Sequence, residues 1–243
     1  MTAPAAARGT RRRVAAPTPR RRNQEERSGK SRARILEAAL SLFSRQGYRG
    51  TSMREVAEAA GVSTGNVYHH FPDKEQIFKT LLEQYWAEIA NPDIPFNQVL
   101  ASGAFPDNIE AIGHASREFV AAHRPYIALI YVDVIEFEGS HIRKFYGEMA
   151  SRFEKFLTRQ AEAKAIRSRL RPGVSTLSAV MMASRFYLNF FTVEILFGVP
   201  NHFGKPTEEV VRETAEILRH GILRREKGTD HGFRERPPAR ERR

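Results

Sequence analysis

The segment from Ser52 to Phe71, SMREVAEAAGVSTGNVYHHF, contains two short helical patterns separated by a glycine turn. Ser52 stands three residues before Glu55, a spacing at which the hydroxyl and the carboxylate can each bond a backbone N–H group at a helix start. Small apolar residues then recur on one face: Met53, Val56, Ala57 and Ala60. The pattern predicts a first helix that another helix can cross closely.

The turn after this helix has the residue types that a tight connection needs. Gly61 can adopt the positive φ angle that ends a helix, Val62 can fill the corner, and Ser63 can cap a second helix. A turn of three or four residues between two helices is typical of helix-turn-helix motifs, whose second helix enters the major groove of DNA.

The predicted second helix is polar and has little to bury. Only Val67 and Phe71 are expected to face inward. The other positions offer hydroxyl, amide, phenol and imidazole groups or no side chain: Ser63, Thr64, Gly65, Asn66, Tyr68, His69 and His70. Gly65 costs about 1 kcal/mol of helix stability relative to alanine, which favours close approach of a phosphate strand. The alternative interpretation is an ordinary polar surface helix.

The longer stretch from Ala33 to Phe78, ARILEAALSLFSRQGYRGTSMREVAEAAGVSTGNVYHHFPDKEQIF, resembles the DNA-binding domain of the tetracycline-repressor (TetR) family of transcriptional regulators. The likeness includes an amphipathic first helix, the G-Y-x-G-T link, the G-V-S-x-G-x-x-Y-x-H-F core and the following K-E pair. It covers about a fifth of the chain, and three helices and their connectors agree in order and spacing.

The resemblance implies a set of residues that face DNA. They are Thr51, Arg54, Ser63, Thr64, Gly65, Asn66, Tyr68, His69 and Lys74. Their donor groups suit this role, because contacts to phosphates position a protein on DNA and contacts to base edges specify the site. Position 64 departs from the lysine often found in the family. No lysine or arginine stands between Ser63 and Phe71.

The positive charge of the chain is concentrated at its two ends. Residues 1–34 hold eleven Lys or Arg against two acids, a net charge of +9, and residues 224–243 hold eight against four, a net +4. Because the whole chain carries +11, residues 35–223 are net −2. We predict that residues 1–28 are a disordered basic arm and that Arg32 belongs to the basic entry of the first helix, which supplies phosphate-neutralising charge. A solubilising tail is the alternative.

Several classes of site find no support in the sequence. The chain has no cysteine, which excludes disulfides and thiolate metal sites and fits a cytoplasmic, nucleoid-associated protein. His69 and His70 are adjacent and lack metal-ligand spacing. We therefore predict no cofactor, no metal site and no catalytic residues. The longest apolar stretch, Val174 to Val199, is interrupted by polar residues, so a membrane span is not expected.

The periodicity of the remaining chain predicts an all-α fold with two domains. The helix-turn-helix domain is assigned to residues 29–89, a larger helical regulatory and dimerisation domain to 90–226, and a disordered basic tail to 227–243. The first helix is expected at about 31–46, further helices at about 140–165, 174–197 and 207–226, and a connection without regular structure at 91–106.

The helices at 174–197 and 207–226 suit a four-helix interface with a second subunit, and the resemblance implies the same homodimer. The alternative is that both helices cover a monomer core. Two-fold pairing would place two recognition helices about one turn of DNA apart on an approximately palindromic operator.

Residues 90–226 are rich in aromatic side chains, and TetR-like proteins usually hold a small-molecule effector among the helices of this domain. Five polar or charged residues stand within apolar helical stretches: Asp133, Glu136, Arg185, Asn189 and Glu194. Burial of an unpaired charge is costly, so these residues are expected to pair with one another, to cross the dimer interface or to contact a ligand, and mutual ion pairs are preferred. The residues that bind an effector cannot be named from the sequence.

These observations predict a sequence-specific, homodimeric transcriptional regulator, with release of repression by a small molecule preferred over activation. Two alternatives differ in class. One is a non-specific nucleic-acid-binding protein driven by the basic tails. The other is a helical enzyme or small-molecule carrier, for which no catalytic residues are evident.

Overall fold

The computed structural model describes residues 19–158 and 169–222. Within these two ranges the regular elements are helices, which confirms the predicted all-α fold. The chain divides into two compact units, Met1–Phe78 and Lys79–Arg243. The predicted tail at 227–243 and most of the predicted arm at 1–28 lie outside the described residues.

The first unit contains helices α1 (Pro19–Gln46), α2 (Met53–Ala59), α3 (Thr64–His70) and the first turn of α4 (Lys74–Ile89). Its core consists of apolar side chains from every one of these elements: Ile35, Leu36, Ala39, Phe43, Val56, Ala57, Val67, Phe71, Ile77 and Phe78. These residues bury the inward faces of α2 and α3, so the opposite faces of both helices are left for solvent.

Helix α1 begins twelve residues earlier than the predicted start at residue 31. Residues 19–28, assigned to the disordered arm, are therefore helical in the structure. Arginine, glutamine and glutamate are good helix formers, and Pro19 is tolerated at the first helical position because its missing N–H group has no helical partner there.

The second unit follows from residue 79 and includes most of α4. Its other elements are α5 (Pro95–Ala101), α6 (Ile109–Ala122), α7 (Arg124–Glu136), α8 (Arg143–Thr158), α9 (Thr176–Phe191), a π-helical turn (Thr192–Leu196) and α10 (Thr207–Ile222). Helix α6 is central, because α5, α9 and α10 all pack against it.

Two predicted boundaries in this unit are wrong. The connection at 91–106 contains a helix, α5, whose first residue is Pro95 and whose buried side chains Phe96 and Leu100 are four residues apart. One of the three prolines that suggested a loop, Pro95, is thus the first residue of a helix. The helix expected from residue 140 begins at Arg143, and its predicted end at 165 lies in the undescribed range 159–168.

The centre of the second unit is packed too tightly for a side chain at one position of α6. A Cβ atom added to Gly113 would lie 2.9 Å from Val211 Cγ1 and 3.0 Å from Tyr187 Cε1. The Tyr187 hydroxyl donates a hydrogen bond of 2.9 Å to the Val211 carbonyl oxygen. Helices α6, α9 and α10 therefore meet around this glycine.

The predicted ion pairs among buried polar residues are wrong for Asp133 and Glu194. Asp133 is fully buried and its Oδ1 lies 2.5 Å from Nδ1 of His141, while its Oδ2 accepts from the Ile142 N–H group. The Glu194 carboxylate accepts hydrogen bonds from the Thr207 hydroxyl and from a backbone N–H group. The hydrogen-bond partners of both carboxylates are thus residues that come after the end of the helix carrying each acid.

The span Thr176–Leu196, α9 with the π-helical turn, has the length and hydropathy that a membrane crossing would need, with 21 residues and a mean hydropathy of 1.2. In the structure its side chains Ala183, Tyr187 and Phe191 belong to the core of the second unit. The apolar residues of this helix thus form part of the hydrophobic core of the second unit.

Candidate nucleic-acid interface

The entry of α2 has the predicted reciprocal cap. The Ser52 hydroxyl accepts from the Glu55 N–H group at 3.2 Å, and the Glu55 carboxylate accepts from the Ser52 N–H group at 2.7 Å. Hydrogen bonds from the side chain and the backbone of Ser52 lower the pKa of Glu55, and a further one from Gln46 acts in the same direction. The helix start is therefore fixed by residues adjacent in sequence.

The turn between α2 and α3 is also as predicted. Gly61 has a φ angle of +62°, and the N–H group of Val62 donates to the Ala57 carbonyl oxygen at 3.0 Å. This is the arrangement of a glycine-terminated helix. Ser63 then caps α3 by accepting from the Asn66 N–H group at 3.2 Å.

Helix α3 is held by two apolar side chains and is otherwise polar and accessible. Val67 and Phe71 are buried, whereas Tyr68 is 53% exposed. Ser63, Thr64, Gly65 and His69 are exposed as well. A Cβ atom at Gly65 would meet nothing closer than the Ser63 hydroxyl at 4.0 Å, so no crowding within the unit requires this glycine. Its outer side is open to close approach by another molecule.

Asn66 is less accessible than its neighbours on α3. The residue is only partly exposed, and its Oδ1 atom is buried with no hydrogen-bond partner among the described residues. The acceptor end of this amide thus does not lie at the surface with the hydroxyl and phenol groups of Thr64 and Tyr68.

Two of the predicted DNA-facing residues use their donor groups inside the unit. Thr51 is buried, and its hydroxyl donates to the Gly47 carbonyl oxygen at 2.8 Å. Lys74 donates from Nζ to the carbonyl oxygens of Tyr48 at 2.6 Å and Thr51 at 2.7 Å, and its Nζ lies 4.1 Å from the centre of the Tyr48 ring.

Positive charge reaches α3 from α1. The guanidinium carbon of Arg32 lies 5.0 Å from the centre of the Phe71 ring, at the end of α3. Burial lowers the pKa of His70, and the positive charges of His69 and Arg32 act in the same direction. Arg32 and Arg54, the latter on α2, are both exposed. Arg32 on α1 and Arg54 on α2 are thus exposed cations of the unit, whereas α3 has no lysine or arginine of its own.

Seven of the ten predicted residues are therefore exposed in the structure, and three are not. The exposed ones are Arg32, Arg54, Ser63, Thr64, Gly65, Tyr68 and His69. Thr51 is buried, and the side chains of Lys74 and Asn66 are only partly exposed. The sequence analysis did not single out Tyr48. Its carbonyl oxygen accepts a hydrogen bond from Lys74, which is 26 residues away in sequence, and its ring lies against the same ammonium group. No group of three or more potential metal-binding residues occurs in ranges 19–158 and 169–222.

A family model described as bacterial regulatory proteins, tetR family, matches residues 35–81, which include α2, α3 and the start of α4. Over these residues the chain is similar to the TetR family. The predicted resemblance is thereby confirmed, and the polar helix α3 occupies the recognition-helix position of the helix-turn-helix.

Proteins with similar sequences are named as transcriptional regulators. The chain is 28% identical over 134 residues to the HTH-type transcriptional repressor KstR2 of Rhodococcus jostii, across 54% of this chain and 64% of that protein. It is 30% identical over 129 residues to the HTH-type transcriptional regulator AcrR of Shigella flexneri, across 53% of this chain and 57% of that protein. The chain thus spans less than two thirds of either relative.

A solved structure extends the likeness of fold over most of the chain. The ketosteroid transcriptional regulator KstR2 of Mycobacterium tuberculosis has a TM-score of 0.53 and 20% sequence identity, across 80% of this chain and 95% of that one. At 20% identity this comparison shows a similar arrangement of helices, and it shows nothing about function.

Proposed function

We propose that this chain is a sequence-specific DNA-binding transcriptional regulator that represses a promoter as a homodimer and is released by a small-molecule effector. The observation that carries the proposal is the surface of α3. Val67 and the C-capping residue Phe71 are buried, and the rest of the seven-residue helix presents hydroxyl, phenol and imidazole groups to solvent.

The chemistry of this surface suits the major groove of DNA. The hydroxyls of Ser63, Thr64 and Tyr68 can donate to phosphate oxygens or reach base edges, and the bare side of Gly65 permits close approach of a sugar-phosphate strand. Arg32 and Arg54 supply the positive charge that α3 lacks, and phosphate neutralisation provides a large share of the affinity of such complexes.

A homodimer is proposed through α9 and α10. Each of these helices contributes to the core of the second unit and also leaves a large apolar side chain in solvent: Met182 is 50% exposed and Ile217 is 70% exposed. A second copy that covers these side chains would make the operator an approximate palindrome, with half-sites about one turn of DNA apart.

Effector binding is assigned to the aromatic interior of the second unit. The rings of Tyr85 and Tyr126 are stacked with centres 5.2 Å apart, and those of Trp86 and Phe145 are stacked at 3.7 Å. An effector releases DNA only if it binds more tightly to a conformation that cannot span both half-sites, because equal affinity for two states shifts neither. A cytoplasmic location is part of the same proposal.

The proposal is tested by selection of duplexes from a random DNA library with the full-length protein, followed by binding titrations. We expect a partly palindromic consensus and a preference of at least about a thousandfold over a scrambled duplex. Thr64→Ala with Tyr68→Ala should remove most of that preference, because both substitutions shorten exposed groups on α3.

Tyr131→Ala is the matched control for this test. Tyr131 is an exposed tyrosine of the second unit, so its loss should leave the preference intact. Selection that yields no consensus, or a double variant that binds the consensus like the wild type, would refute the assignment of α3 as the recognition element.

A further inference from the structure

Lys74, the first residue of α4, is bound on three sides by the link between α1 and α2. Its ammonium group donates to the carbonyl oxygens of Tyr48 and Thr51 at 2.6 and 2.7 Å. It also lies 4.1 Å from the centre of the Tyr48 ring, within the range of a cation–π interaction. The side chain is partly buried.

This geometry leaves little of the ammonium group for DNA. An ammonium has three donors, and two of them point at carbonyl oxygens at short, charge-assisted distances. The aromatic face of Tyr48 offsets part of the charge on the same side. A contact between Lys74 and a phosphate that required either hydrogen bond to break would leave a carbonyl oxygen of the link without its partner.

The link that Lys74 holds is itself closely constrained. The Thr51 hydroxyl donates to the Gly47 carbonyl oxygen, and the Gln46 side chain donates to the Gly50 carbonyl oxygen at 2.8 Å. A Cβ atom at Gly50 would lie 2.3 Å from the Gln46 carbonyl oxygen, so the backbone approaches closely at this point. Residues 46–51 thus form a compact link that leads directly into the cap of α2.

The position of α2 is passed on to α3. Ser52, the residue after the link, caps α2, and the Val62 N–H group connects the following turn back to Ala57. Lys74 therefore acts at one end of a continuous chain of contacts, and the exposed surface of α3 lies at the other.

We propose that Lys74 is a positioning residue, which sets the orientation of the recognition helix by holding the link between α1 and α2, and that it does not neutralise a phosphate. The proposal rests on the proposed function. It reassigns one of the residues that the TetR resemblance placed in contact with DNA.

Salt dependence separates the two roles. A lysine that neutralises a phosphate contributes equally to specific and non-specific binding, and its loss lowers the slope of log K against log salt by about 0.9. A positioning residue contributes to the fit of α3 to its own sequence, and its loss leaves the number of phosphate contacts unchanged.

The experiment uses full-length wild-type protein and Lys74→Met, titrated by fluorescence anisotropy at several salt concentrations. The probes are a duplex selected in vitro by the wild type and a scrambled duplex of the same composition. We expect Lys74→Met to weaken binding to the selected duplex by about tenfold or more and binding to the scrambled duplex by less than about twofold, with unchanged salt slopes.

Thr51→Val is a second variant that changes no charge. It removes the hydroxyl that donates to Gly47 within the same link, and we expect the same loss of preference at unchanged salt slope. Lys74→Gln retains amide donors and should recover part of the preference. Circular dichroism identifies the folded variants, and if Lys74→Met is unfolded, the other two carry the test. Lys30→Met, at an exposed lysine of α1, is the control for loss of one positive charge near the N-terminal end.

The proposal is overturned if Lys74→Met or Lys74→Gln weakens binding to both duplexes equally and lowers the salt slope by about one, or if Thr51→Val binds both duplexes like the wild type. A wild-type protein without preference for any selected duplex would instead refute the proposed function. The two failures are thus distinguishable.

Discussion

The hydroxyl of Tyr187 on α9 donates a hydrogen bond of 2.9 Å to the backbone carbonyl oxygen of Val211 on α10. Tyr187 is fully buried, and burial raises the pKa of its phenol, so the hydroxyl stays protonated and able to donate. The two residues are 24 positions apart in sequence, and the helices that they join are both proposed to meet a second subunit.

Tyr187→Phe should lower the free energy of unfolding by about 1 kcal/mol, because the ring still fills its site but the Val211 oxygen loses a buried partner. Urea titrations followed by circular dichroism measure the change. Tyr131→Phe removes the same hydroxyl at an exposed position and should change stability by less than about 0.5 kcal/mol. Equal effects of the two substitutions would contradict the importance of the buried bond.

Gly113→Ala should destabilise the second unit by about 1 to 3 kcal/mol, since the added methyl group would meet Val211 and Tyr187 at about 3 Å. Gly147, on α8, has nothing within 4 Å of a Cβ atom. Gly147→Ala should therefore stabilise the protein by about 0.5 to 1 kcal/mol through helix propensity. Thermal unfolding of the two variants, compared with the wild type, should shift in opposite directions.

Asp133→Ala should destabilise the protein by about 3 kcal/mol, because it removes the acceptors of the His141 imidazole and of the Ile142 N–H group in a buried setting. Glu118→Ala removes an exposed acid from α6 and is the control, with an expected change below about 0.5 kcal/mol. Chemical denaturation of both variants measures the difference, and a small effect at position 133 would show that water replaces these contacts readily.

The pKa of His70 is lowered from its ordinary value of 6.5, chiefly by burial. The unfolded chain then binds more protons than the folded one at pH values just below 6.5, so this group makes stability fall as the pH drops through that window. In a DNA complex the sign is opposite, because phosphates favour the protonated imidazole. The affinity for a selected duplex should therefore increase as the pH is lowered from about 7.5 to about 5.5.

His70→Asn should flatten both pH dependences relative to the wild type, while His220→Asn, at an exposed histidine of α10, should leave them unchanged. Denaturation and anisotropy titrations across the same pH range give the two profiles. If His70→Asn retains the full pH dependence of DNA affinity, the protons are taken up elsewhere.

The local features of the interface could be predicted from the sequence because each depends on residues close together in the chain. The cap of α2 needs only Ser52 and Glu55 at a spacing of three, and the end of the same helix needs only Gly61. The inward faces of Val67 and Phe71 follow from helical periodicity. These features determine where α3 begins, where it ends and which side it exposes.

The features that sequence reasoning missed involve partners that carry no recognisable pattern. Lys74 is bound by backbone carbonyl oxygens, which every residue possesses, so nothing in the sequence marks Tyr48 and Thr51 as its acceptors. Asp133 and Glu194 were expected to form ion pairs within a set that also included Glu136, Arg185 and Asn189. Their partners instead lie after their helices end, where backbone N–H groups and side chains turn back toward them. The predicted domain boundaries at 29–89 and 90–226 stay predictions.

Helix α3 has only seven residues, with one serine cap and two buried side chains to hold it. Isolated peptides of fewer than about twelve residues rarely keep helical structure in water. A synthetic fragment with this sequence would therefore be mostly a random coil, and it would have to become ordered at the moment of contact. In the proposed function, recognition of bases by α3 therefore depends on its packing against α1 and α2. A compound that mimics the short segment alone would need cross-links to replace that support.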